Sequence, residues 1–155
     1  MEFSLEEVRL KLETFCAYQE RSVSDVRSKC VQLKVSNESH DELIQHLQET
    51  GFLDESRYAE SYVSGKFRIK KWGRRKIYAG LRSKGIDSEL IPEAMKVIEP
   101  EAYWETLLSL AEKKHLELSG KKNQEWETKI KLMRFLLQRG FENDLVSEAL
   151  DQVVK

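Results

Sequence analysis

Apolar residues recur three and four positions apart along almost the whole chain, the spacing of one face of an α-helix. Leu5, Val8, Leu12, Phe15 and Cys16 form a first stripe, and Val23, Val26, Cys30 and Leu33 a second. Leu43, Ile44 and Leu47 give a third, Tyr58, Ala59, Tyr62, Val63 and Phe67 a fourth, and Ile77, Tyr78 and Leu81 a fifth. A sixth runs through Leu90, Ile91, Ala94, Val97 and Ile98, and a seventh through Trp104, Leu107, Leu108, Ala111, His115 and Leu118. Trp126, Ile130, Met133 and Leu137 make the eighth; Leu145, Val146, Ala149, Leu150 and Val153 make the ninth. No segment sustains the two-residue alternation of a half-buried strand. The pattern predicts nine short amphipathic helices and no strand.

The residues between the stripes agree. Ser4-x-x-Glu7 and Ser39-x-x-Glu42 read as capping boxes, in which hydroxyl and carboxylate each take an unpaired amide at a helix start. Asp54 and Asp87 read as N-caps, each shortly after a glycine that ends the preceding helix. Pro100 suits a first helical turn, whereas Pro92 makes the sixth helix start late or bend.

The chain also repeats itself. KCVQLKV (29–35), YAGLRSKG (78–85) and MRFLLQRG (133–140) align so that Val35, Gly85 and Gly140 coincide. DELIQHL (41–47), DSELIPEA (87–94) and ENDLVSEA (142–149) then follow, with SNES (36–39) left as a short loop. Three helices of this size bury little apolar surface alone, and stacked neighbours supply the missing core. The expected fold is all-α: an elongated array of three tandem three-helix repeats, at residues 1–52, 53–99 and 100–155.

The length of 155 residues and the charged fraction of 34% fit a helical protein with much exposed surface. No apolar run approaches the ~20 residues of a membrane span. The acidic, amphipathic start is unlike a signal peptide. Cys16 and Cys30 sit on apolar stripes and read as buried thiols. Together these predict a soluble, cytoplasmic monomer.

Charge changes the picture most. Between Lys66 and Lys84 stand nine Lys or Arg and no acid, in a chain whose formal net charge is −1. Residues 38–60 hold seven acids against Arg57, and residues 86–105 six acids against Lys96. Such segregation marks a surface for something anionic, phosphates or an acidic protein groove. Arg68, Lys70, Lys71, Arg74, Arg75 and Lys76 are the candidate binding residues, with Trp72 interleaved and Arg82 and Lys84 in support. Cations at the end of the fourth helix suit its dipole, whereas Arg74, Arg75 and Lys76 at the start of the fifth oppose it. Reversing those three to Glu is therefore expected to leave folding intact.

No catalytic constellation stands out. There is no Gly-rich phosphate loop, no H-E-x-x-H and no C-x-x-C. His40 and His46 fall on different helix faces, so a shared metal is not expected, and His115 reads as a core residue. No enzyme activity, metal or cofactor is predicted.

The run GFLDESRYAESYVSGKFRIKKWGRRKIYAGLRSKGI (51–86) resembles the signature of the RecX family, and AYQERSVSDVRSKCVQL (17–33) is similar to that family's first-repeat motif. The chain departs from the pattern at Arg74, where Pro is common, at Gly80, where an acid is common, and at Val35, where Gly is usual. The resemblance implies a fold of three-helix repeats and a non-enzymatic regulator. Such a protein binds the groove of RecA recombinase filaments and restrains their ATP hydrolysis and strand exchange. DNA is a possible further contact. Two other classes stay open: a protein that binds nucleic acid directly, and a helical-repeat adaptor for another protein.

Overall fold

The structure is a computed structural model and describes residues 3–120 and 124–154. Among the described residues there are nine α-helices, one 3-10 turn and no strand. The helices are α1 (Leu5–Tyr18), α2 (Val23–Gln32), α3 (Asn37–Glu49), α4 (Glu55–Arg68), α5 (Arg74–Ser83), α6 (Ile91–Met95), α7 (Pro100–Ser119), α8 (Glu125–Gln138) and α9 (Asn143–Val153). The 3-10 turn, Ser88–Leu90, precedes α6. None of these helices is long and apolar enough to cross a membrane.

Local chemistry sets the helix starts. Ser4 and Glu7 form the expected capping box on α1. A second box, Ser22 with Asp25, starts α2 and escaped the sequence reading. The box expected at Ser39 and Glu42 is absent. The N-cap of α3 is Ser36, and SNES opens the helix instead of forming a loop. Asp54 caps α4 by accepting from the Arg57 amide at 3.1 Å, and Asp87 caps the 3-10 turn. Pro100 stands in the first turn of α7. Pro92 is the second residue of α6, which starts late because the chain before it is 3-10.

The helix ends correct the repeat register. Three helices close with the same bond across a left-handed residue: Val35 N–H to Cys30 O, Ile86 N–H to Leu81 O, and Phe141 N–H to Leu136 O. The left-handed residues are Lys34, Gly85 and Gly140, at φ 62°, 80° and 99°. Lys34, not Val35, is thus the counterpart of the two glycines. Val35, Ile86 and Phe141 are the equivalent residues that follow, and all three are buried. In this register Ser36, Asp87 and Glu142 are the matching N-caps. His40 then takes the place of Ile91 and Val146, buried with its Nε2 3.1 Å from Val35 O. A polar side chain and a lysine at the apolar and glycine positions hid this from a reading of identities.

The chain divides into two compact units. One ends at Ser61 and takes in Leu81–Ala94; the other comprises Tyr62–Gly80 and the chain from Met95 onward. In the first unit α3 packs on α1 and α2. Its core joins Val8, Leu12 and Cys16 of α1 to Val26 and Cys30 of α2 and to Leu43, Ile44 and Leu47 of α3. In the second unit α7, α8 and α9 pack against one another. An aromatic row runs through its core: Phe67 to Tyr103 at 5.8 Å between centroids, and Tyr103 to Phe141 at 5.2 Å. The face that α8 buries is Thr128, Leu132 and Leu136. The predicted stripe lies elsewhere on this helix, with Trp126 63% exposed and Ile130 and Met133 also exposed.

Candidate interaction surface

The basic segment enters the second unit at the end of α4. Lys71 takes φ 56° just past the helix and turns the chain, with the Trp72 amide bonded back to Lys66 O at 3.1 Å. The turn is braced from α8. The Arg139 guanidinium donates to Lys70 O and, at 3.4 Å, to Lys71 O. Gly73 lies against the backbone of Gly140, where a Cβ would sit 2.3 Å from carbonyl carbon and amide nitrogen. The α8–α9 loop therefore fixes where α5 begins.

Three amides at the start of α5 find acceptors in the second unit. Gly73 N–H donates to Arg139 O at 2.7 Å, Arg74 N–H to the Tyr103 hydroxyl at 2.9 Å, and Arg75 N–H to Gly140 O at 2.9 Å. Tyr103 in turn donates its proton to Glu142 Oε1. Arg74 closes the cluster, with Nη1 3.0 Å from Glu142 Oε2 and the guanidinium 3.8 Å from the centre of the Tyr103 ring. Burial, reinforced by the bond to Glu142, pushes the Tyr103 phenol well above its usual range. Glu142 supplies the negative charge that the helix start lacks in sequence.

This cluster sorts the predicted residues. Arg74 is half-buried and ion-paired within the fold. A glutamate there would face Glu142, so the expectation that reversing all three residues leaves folding intact fails at Arg74. Trp72 is half-buried, with the ammonium groups of Lys66 and Lys76 4.8 and 4.5 Å from its ring centre. Arg68, Lys70, Lys71, Arg75 and Lys76 are all exposed, and none is in an ion pair among the described residues. Ile69, 78% exposed, stands among them. Beside Lys71 a groove of about 390 Å³ runs along α7, with Glu105 and Lys113 on its wall.

Arg82 and Lys84 belong to the first unit. Arg82 Nη1 donates to Ile86 O at 2.9 Å, which braces the turn after α5. Lys84 Nζ is 3.0 Å from Asp25 Oδ1. Burial works to raise the Asp25 carboxyl, but the Ser22 amide and Lys84 outweigh it and hold it below its ordinary value. Sequence reasoning missed Arg139. It lies outside the basic run, and only the docking of the α8–α9 loop brings it to Lys70 and Lys71.

Among the described residues no group of His, Cys, Asp or Glu is arranged to hold a metal. His46 Nε2 is 3.1 Å from Glu13 Oε2, well apart in chemistry from the buried His40.

An all-α chain of three-helix units with an exposed cationic turn defines a helical-repeat protein. Residues 54–95 match the second three-helix domain of RecX, and residues 101–150 match the third. The "Regulatory protein RecX" of Chlorobium phaeobacteroides is 30% identical over 137 residues, covering 88% of this chain and 87% of that protein. The protein of that name from Clostridium perfringens strain 13 is 30% identical over 124 residues, covering 80% of this chain and 58% of its own length. The chain thus spans about three fifths of that relative's length. The crystal structure of RecX from Lactobacillus salivarius superposes with a TM-score of 0.83 at 24% identity, covering 96% of this chain and 95% of that one. The chain belongs to the RecX family.

Proposed function

We propose that this protein regulates a RecA-type recombinase: it binds the recombinase filament and slows its ATP turnover and strand exchange without catalysing a reaction. Membership of a family of regulatory proteins supports the reading. The observation that carries it to a surface is the set of five exposed cations, Arg68, Lys70, Lys71, Arg75 and Lys76, from the end of α4 to the start of α5 in the second unit, none of them in an ion pair among the described residues. Keeping five like charges together on a turn works against folding, and an anionic partner offsets that repulsion. Acidic patches of a protein filament and the phosphates within it both meet this description.

The test is the single-stranded-DNA-dependent ATPase of the cognate recombinase, with the wild-type protein and with a Lys70→Glu, Lys71→Glu, Arg75→Glu variant. Arg74 is left in place because it holds the fold. The wild type should slow turnover, and the variant, equally stable in melting, should lose most of that effect. A folded variant that inhibits like the parent removes the site. A wild type without effect on turnover or strand exchange removes the function. Steeply salt-dependent binding of wild type to naked single-stranded DNA, without any effect on the recombinase, would favour the direct nucleic-acid reading.

A further inference from the structure

The first unit carries a second cationic feature, unrelated to the basic run. Between α1 and α2 lies a groove of about 520 Å³, within the size range of binding clefts. Its apolar and aromatic lining comes from Leu10, Phe15, Tyr18 and Leu33, and its charged lining from Lys11, Arg21 and Lys29, with no acid. Leu10 is 60% exposed in mid-helix, although a leucine at that depth gains by burial.

The cations are placed by the aromatic residues beside them. The Arg21 guanidinium lies 3.7 Å from the Phe15 ring centre, and its Nε donates to Phe15 O at 2.9 Å. Lys29 is 5.4 Å from the same ring, and Lys11 is 4.5 Å from the Phe3 ring. Elsewhere in this unit Arg9, Arg27, Arg57 and Lys84 are each paired with a carboxylate. Lys11, Arg21 and Lys29 are in no ion pair among the described residues, yet they share one groove. An apolar floor ringed by unpaired cations is complementary to apolar anchors flanked by carboxylates.

We propose that this groove binds an acidic amphipathic helix of a protein partner. Leucine-like anchors one turn apart fill the space over Leu10, Phe15 and Leu33, and carboxylates beside them reach Lys11, Arg21 and Lys29. Single-stranded nucleic acid fits less well. Arg21 already covers the Phe15 ring, and aliphatic Leu10 and Leu33 offer bases nothing to stack on, which leaves Tyr18, 5.9 Å from Arg21, as a lone stacking face in this lining. The proposal is independent of the recombinase reading, which rests on residues of the second unit.

The experiment uses the full chain and a panel of fluorescein-labelled 15-residue helical peptides, with Leu at i, i+4 and i+7 and Glu on the flanks. Scrambles of the same composition and a dT15 oligonucleotide serve as competitors, and fluorescence anisotropy is the readout. The amphipathic peptides should bind about tenfold tighter than their scrambles and weaken with salt. Leu10→Gln, and separately Lys11→Glu with Lys29→Glu, should each weaken binding about fivefold or more at an unchanged melting temperature. Should one variant fail to fold, the other decides. A panel that binds no better than its scrambles, or binds the folded variants undiminished, overturns the proposal. So does dT15 binding that these variants abolish while the peptides fail, which would assign the groove to nucleic acid.

Discussion

At the residue scale, one backbone position shows how much the surroundings matter. Lys34, Gly85 and Gly140 share the left-handed conformation, but their neighbours differ. A Cβ at Gly85 would meet nothing within 4 Å, whereas at Gly140 it would lie 2.4 Å from Lys76 Cβ and 2.6 Å from Lys76 N. Gly85→Ala should therefore cost about 1 kcal/mol, from strain alone. Gly140→Ala has a backbone atom in its way and should cost more than about 3 kcal/mol. Lys34→Gly should stabilise by up to about 1 kcal/mol, since it removes the steric cost of a side chain there. Denaturant melts of the three variants check the order, and equal costs at Gly85 and Gly140 would contradict it. Tyr103 is the second case. Tyr103→Phe leaves the Arg74 amide without its acceptor and Glu142 Oε1 without the phenol donor, so a loss of about 1–3 kcal/mol is expected in the same assay.

At the element scale, the start of α2 depends on one carboxylate. Asp25 completes the Ser22 capping box and pairs with Lys84. Its folded pKa is lowered, so its stabilisation is fully present above the ordinary aspartate value. It is lost as pH falls through the lower folded value. Glu55 has the opposite sign: burial raises its carboxyl, so its contribution fades as pH rises through the folded value. Melting temperature measured from neutral pH down into the acid range should fall less steeply for Asp25→Asn than for the parent. Identical slopes would rule out Asp25 as a source of acid sensitivity. Gly80, inside α5, has its own reason at this scale. A Cβ there would lie 2.0 Å from the Tyr62 hydroxyl of α4, so the missing side chain lets that ring pack down.

At the scale of the whole molecule, the two thiols report on global opening. Cys16 and Cys30 are both buried in the core of the first unit. Burial raises both, Cys16 to about 11, so at neutral pH almost no thiolate is present to react. Modification by Ellman's reagent should be slow in buffer and accelerate in denaturant in step with unfolding. Fast reaction of the native protein would show that this core opens locally.

Helical periodicity, caps and the charge of residues 66–84 were legible in the sequence because each depends on neighbours a few positions away. The nine helices, the capping at Ser4, Asp54 and Asp87, and the family resemblance all came from such local signals. The face that α8 buries was not legible, because Leu132 and Leu136 repeat with the same period as Trp126, Ile130 and Met133. Only packing against α7 and α9 chooses between two apolar stripes on one helix. The repeat register was hidden for a similar reason: Lys34 and His40 hold positions that backbone geometry defines and residue type does not. Within the basic run, sequence made Arg74 and Arg75 neighbours of one kind. The tertiary structure separated them, because Glu142 and Tyr103, distant in the chain, close on Arg74 and leave Arg75 in solvent. A charge becomes part of the fold or of a binding surface according to what long-range packing sets within hydrogen-bond reach, and the local sequence does not carry that information.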